Sequence, residues 1–215
     1  MKALIKEYLT GALTIPNLLS LIRILLVPVF AVLFLSENIE HNYLWAIIVL
    51  AFSGFTDFLD GKIARKFNQI SALGKLLDPI ADKLSQITIA IVFYFTFKNS
   101  ADATVKTFSW IFLIFIIKEL IMIVIAAIMI AFGIKPVAAE LPGKLATLAF
   151  YTIMCVVMAF GPDVGVIHKE FGIDWVLPST VMLVLVGISV VLTIIALFSY
   201  APGVIRQIKE KKNSK

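Results

Sequence analysis

A chain of 215 residues that is 60% apolar and only 15% charged is too hydrophobic for an ordinary water-soluble domain, which runs nearer half apolar and a quarter charged. Its single Cys155 and two widely separated histidines, His41 and His168, exclude an internal disulfide and a zinc-type ligand set. The net charge of +5 does not mark a nucleic-acid binder, because the basic residues fall in short segments between apolar runs and in the tail rather than in one patch.

The first dozen residues mix Lys2, Lys6 and Glu7 with Leu4, Ile5, Tyr8 and Leu9, the pattern of an interfacial helix lying along a membrane. Lysines ahead of an apolar run resemble a signal peptide, but the run carries Arg23 and lacks a small-residue cleavage pattern, so the segment is expected to be retained. Apolar stretches of about bilayer length follow at 18–35, 43–59, 79–97, 108–132, 144–160 and 176–199. The second is short and turns polar at Asp57; the fourth is long enough to tilt or protrude. Lipid offers the backbone no hydrogen bonds, so each stretch is expected as a helix. Polar residues at 36–42 and 98–105, a helix break at 133–136 and a loop-like segment at 161–174 separate them. The expected architecture is all-α: one membrane domain over 1–215, with six transmembrane helices and an N-terminal interfacial helix.

Lysine and arginine set the expected orientation. Lys2 and Lys6 precede the first span; Lys62, Arg65, Lys66 and Lys75 lie between the second and third; Lys135 and Lys144 lie between the fourth and fifth; Arg206, Lys209, Lys211, Lys212 and Lys215 form the tail. The opposite loops hold only Lys98, Lys106 and Lys169. The positive-inside rule then places both termini and the 60–75 connection in the cytoplasm of a bacterial-type plasma membrane. The basic tail is suited to anionic headgroups.

Acidic residues near membrane depth are costly and, by default, functional. Asp57 and Asp60 are spaced i, i+3, and Asp78 and Asp82 i, i+4, so each pair shares a helix face. A short connection lets the two pairs oppose one another. Pairing with Lys62, Arg65, Lys66, Lys75 or Lys83 would account for any one aspartate but leaves the set of four unexplained. Converging carboxylates repel, and divalent ions relieve that repulsion. An all-oxygen set favours Mg²⁺ or Mn²⁺, with enough ligands for two ions.

Written out, the segment reads Asp57-x2-Asp60-Gly61-x2-Ala64-Arg65-x8-Gly74-x3-Asp78-x3-Asp82. At every fixed position this resembles the signature of the CDP-alcohol phosphotransferase family, also called CDP-alcohol phosphatidyltransferases. The opening Ile15-Pro16-Asn17-Leu18-Leu19-Ser20-x2-Arg23 is similar to that of bacterial glycerophospholipid members. The resemblance implies a dinuclear metal site at Asp57, Asp60, Asp78 and Asp82, with Asp82 as catalytic general base. It implies CDP binding along Gly61, Ala64, Arg65 and Gly74, where small residues allow a nucleotide close approach. It also implies a phosphatidyl group moving from CDP-diacylglycerol to an alcohol with release of CMP, among membrane lipids and in a homodimer.

The acceptor is sought among intramembrane cations and polar groups: Asn17, Arg23, Lys118 and Lys144 are the candidates for binding it or a phosphate. Adjacent residues point about 100° apart on a helix, so Lys118 and Glu119 are expected to be poor mutual partners, leaving Glu119 to contact the nucleotide or orient a cation. The opening resembles phosphatidylglycerophosphate synthases, and Phe67-Asn68-Gln69-Ile70-Ser71 resembles cardiolipin synthases of the same fold. Glycerol 3-phosphate ranks first as acceptor and phosphatidylglycerol second. Ala126 and Ala146 stand where glycerol-phosphate members carry further cations, which narrows the margin. A divalent-cation transporter is the alternative of a different class. It is disfavoured because the acids gather near one membrane face and the fifth and sixth spans carry none like them. A catalytically dead scaffold is disfavoured because no signature residue is missing.

Overall fold

The computed structural model describes residues 14–36, 38–67, 73–131 and 141–213, except the side chains at 57, 58, 60–62, 64, 65, 75, 76, 210, 212 and 213. Among the described residues there are eight helices and no strand: α1 (Ile15–Leu35), α2 (Asn42–Lys66), α3 (Gly74–Lys98), α4 (Ala103–Phe108), α5 (Ile111–Ala131), α6 (Leu141–Phe160), α7 (Val166–Phe171) and α8 (Ser179–Asn213). Five helical stretches are long and apolar enough to cross a bilayer: Ile15–Leu35, Leu77–Lys98, Ala103–Ala131, Leu141–Phe160 and Ser179–Lys209. A shorter apolar stretch covers Asn42–Thr56. The chain is an all-α, polytopic integral membrane protein. The interfacial helix expected over 1–12 lies outside the described residues.

Local chemistry explains where these helices start. Thr14 caps α1 by accepting the Asn17 amide at 3.4 Å, and Pro16 sits in the first turn, where its missing N–H is no loss. The α1 residues that become buried are Pro16, Asn17, Ser20, Arg23, Phe30 and Phe34, a three-to-four-residue repeat defining one face. That face is polar in its first half and aromatic in its second. Asp102 caps α4 through the amides of Thr104 and Val105, at 2.8 and 3.3 Å.

The bundle is held through α1, which packs on both α2 and α3; α3 packs on α5, and α6 and α5 pack on α8. Lipid tails are as apolar as a leucine, so close packing rather than water exclusion holds such helices together. Here that packing is aromatic. Phe34 of α1 meets Phe93 of α3 edge-on at 5.4 Å, Phe93 meets Phe112 of α5 at 5.5 Å, and Phe115 meets Phe150 of α6 at 4.9 Å. Each such pair contributes about 0.5–1.5 kcal/mol beyond area burial. The aromatic chain occupies one half of the bundle, and the polar face of α1 and the acids of α3 occupy the other.

Three boundaries differ from expectation. The fourth span is preceded by α4, which begins within the polar 98–105 segment because the Asp102 cap starts a helix there. The segment at 161–174 contains α7, which ends at Gly172 in a left-handed conformation (φ 63°) that glycine adopts without strain. The sixth span continues as one helix to Asn213, so basic residues of the tail extend α8.

Candidate active site

The site is built on the first three turns of α3. Asp78 and Asp82 lie four residues apart on that helix, with Asp78 exposed and Asp82 half-buried. The Ser20 hydroxyl, fully buried on the polar face of α1, donates to Asp78 Oδ1 at 2.5 Å, with the Pro16 carbonyl at 3.0 Å as its other acceptor. Asp82 is held twice: Gln86 Nε2, one turn on, donates to Oδ2 at 3.0 Å, and the Tyr151 hydroxyl from α6 donates to Oδ1 at 3.3 Å. Neutral donors thus help to orient both carboxylates.

Lys83 continues the site inward. Its ammonium meets Glu119 Oε2 of α5 at 2.7 Å, and Lys118 pairs with Glu119 Oε1. Glu119 is sealed, with 2% of its side chain exposed, whereas Lys83 and Lys118 keep 24% and 13%. The pairing of Lys118 with Glu119 corrects the expectation that neighbours on a helix make poor partners. Two long side chains can turn toward one another although their Cα–Cβ bonds diverge.

The other sequence candidates are distributed as follows. Asn17 and Arg23 are buried on the same face of α1 as Ser20, one turn to either side. Gly74 is buried at the first position of α3, and Lys144 is exposed in the first turn of α6. Asp57, Asp60, Gly61, Ala64 and Arg65 fall on the second half of α2 by backbone, but their side chains lie outside the described residues. The structure therefore brings together Asp78 and Asp82 with Ser20, Gln86 and Tyr151, and joins Lys118 to Lys83 through Glu119. It leaves the opposition of the two aspartate pairs as an expectation.

The donor set fits a hard divalent ion. Asp78 and Asp82 present oxygen alone, and each is oriented by a hydrogen bond from behind, as ligating carboxylates usually are. Among the described residues no group of three or more His, Cys, Asp or Glu stands ready to hold a metal; the expected quartet includes Asp57 and Asp60. Ser20, Lys83, Gln86 and Tyr151 were not among the sequence candidates. Asn17, Ser20 and Arg23 do recur on one face of an otherwise apolar helix, and Gln86 lies four residues from Asp82, so two of the four carried a local signal.

The comparisons with known proteins bear on the family. The sequence model of the CDP-alcohol phosphatidyltransferase family matches residues 13–195. A cardiolipin synthase (CMP-forming) from Streptomyces coelicolor is 38% identical over 137 residues, 63% of this chain and 60% of the relative. A putative cardiolipin synthase from Mycobacterium tuberculosis is 51% identical over 81 residues, 38% of this chain and 37% of the relative. A CDP-diacylglycerol–glycerol-3-phosphate 3-phosphatidyltransferase from Aquifex aeolicus is 47% identical over 72 residues, 34% of this chain and 38% of the relative. The chain thus spans 60% or less of the length of these curated relatives. No solved structure matches it.

Proposed function

We propose that the chain, which belongs to the CDP-alcohol phosphatidyltransferase family, transfers a phosphatidyl group from CDP-diacylglycerol to the hydroxyl of a glycerol-phosphate acceptor and releases CMP. The observation that carries this reading is the pair Asp78 and Asp82 on one face of α3, each accepting from side chains that orient it. Relatives named for glycerol 3-phosphate transfer and for cardiolipin synthesis support two acceptors, glycerol 3-phosphate and phosphatidylglycerol. Both offer a hydroxyl three carbons or fewer from a phosphate.

In this reaction the acceptor oxygen attacks the lipid-side phosphorus of the diphosphate. The bond from that phosphorus to the bridging oxygen breaks, and CMP leaves with its electron pair. Asp82 takes the hydroxyl proton on its carboxylate, whose plane Gln86 and Tyr151 set. Asp57, Asp60, Asp78 and Asp82 would hold Mg²⁺ or Mn²⁺, two ions in the fullest case. Bound there, such ions supply positive charge against the diphosphate and the departing CMP. Gly61, Ala64, Arg65 and Gly74 would accept the cytidine nucleotide along α2 and the start of α3. Asn17, Arg23, Lys118 and Lys144 are the candidates for contact with phosphates.

The charge pattern of the loops supports a cytoplasmic site with both termini on that side. A homodimer in the membrane is expected from the family. The test is an acceptor panel: purified protein in detergent with labelled CDP-diacylglycerol, offered glycerol 3-phosphate, phosphatidylglycerol, inositol phosphate or serine separately. The expected outcome is a labelled product of the mass of phosphatidylglycerophosphate or of cardiolipin. Labelled lipid formed only with inositol phosphate or serine would contradict the glycerol-phosphate reading.

A further inference from the structure

We propose that Glu119 is a specificity-determining positioning residue. By holding Lys83 and Lys118 together it presents a cradle of one net positive charge that favours an acceptor with a monoanionic phosphodiester over one with a dianionic phosphomonoester. This rests on the phosphatidyl-transfer reading above and assigns part of that site a role in acceptor choice.

The geometry is specific. Glu119 uses both carboxylate oxygens, Oε2 for Lys83 on α3 at 2.7 Å and Oε1 for Lys118 on its own helix. An ammonium has three N–H donors, so one contact with Glu119 does not exhaust either lysine. The lysines retain partial exposure and the carboxylate almost none, so the two ammonium groups are the accessible members of the triad. Two ammonium groups and one carboxylate leave a single positive charge.

Stability does not account for such an arrangement. Three ionised groups within the length of α3 and α5 are expensive at membrane depth, and well-packed apolar residues often replace a buried ion pair at no loss. Position does account for it. Lys83 directly follows Asp82, and the two side chains diverge, Asp82 toward Tyr151 of α6 and Lys83 toward Glu119 of α5. In this proposal a phosphate held by Lys83 and Lys118 sits against α3, the helix that also carries Asp82. One net charge balances a phosphodiester, whereas the second charge of a phosphomonoester has no counter-charge in the triad.

The test compares kcat/KM for two probes, glycerol 3-phosphate and phosphatidylglycerol in mixed micelles, with CDP-diacylglycerol and Mg²⁺. The proteins are wild type, Glu119→Gln, Glu119→Asp, and Lys118→Met combined with Glu119→Gln. The ratio of the two kcat/KM values does not depend on how much of a variant is folded. Glu119→Gln, which adds one net positive charge, is expected to shift the ratio toward the phosphomonoester by about fivefold or more. Glu119→Asp keeps the wild-type ratio, and the double variant, again with one net charge, returns to within about twofold of it. A wild-type enzyme that turns over normally while Glu119→Gln leaves the ratio unchanged overturns the inference alone. Wild-type protein that releases no CMP with either probe overturns the transferase reading, and this inference with it.

Discussion

The Tyr151 hydroxyl of α6 donates to Asp82 Oδ1 of α3 at 3.3 Å, a bond between residues 69 positions apart. It is the described contact that ties the sixth helix to the carboxylate expected to receive the acceptor proton. Groups that orient a functional carboxylate from behind typically matter by about 10–100-fold in activity or metal affinity. Tyr151→Phe keeps the ring and its edge contact with Phe150, so folding is expected to survive while kcat falls about tenfold. Unchanged kcat with equal expression would remove Tyr151 from the site.

Ser20 plays the matching part for Asp78. Its side chain is fully buried, and Asp78 Oδ1 lies 2.5 Å away. Ser20→Ala deletes one donor and leaves a small apolar group on the face of α1 that packs on α3. If Asp78 is a metal ligand, the Mg²⁺ concentration for half-maximal activity should rise by about tenfold or more, with a smaller effect at saturating Mg²⁺. A metal titration that superimposes on wild type would place Asp78 outside metal binding.

A third prediction concerns stability at the opposite end of the bundle. The Ser179 hydroxyl at the start of α8 and the Thr104 amide both donate to Asp102, and they hold its carboxyl below the ordinary value of 3.8. A folded value below the unfolded one means that this stabilisation is fully present above the unfolded value. It is lost as pH falls through the folded one. Asp102→Asn keeps a capping side chain but removes the charge. The variant should melt below wild type near neutral pH, and the gap should close as pH drops below about 4. A gap that persists unchanged into acid would show that the charge of Asp102 contributes nothing.

Much of this protein was legible in its sequence, for identifiable reasons. Lipid imposes length and apolarity on a crossing helix, so hydropathy alone located the spans, and the spacing of Asp78 and Asp82 fixed their common face. The cap at Asp102 and the glycine at 172 carry local signals too, although polar composition masked the short helices α4 and α7. The relations that finish the site are different in kind. Ser20 with Asp78, Lys83 with Glu119 and Tyr151 with Asp82 join residues 58, 36 and 69 positions apart. They depend on which helices pack together, information that no local pattern holds. The pairing of Lys118 with Glu119 was misjudged from helix geometry, because backbone direction does not bound where two flexible side chains can meet.

The most direct test of the central claim is CMP release from CDP-diacylglycerol by purified wild-type protein and Asp82→Asn, with and without acceptor, in Mg²⁺ and then in excess EDTA. Release from wild type is expected only with acceptor and divalent ion together. Asp82→Asn is expected to retain CDP-diacylglycerol binding while releasing no CMP. Near-normal release by Asp82→Asn, or undiminished release by wild type in EDTA, would contradict the account.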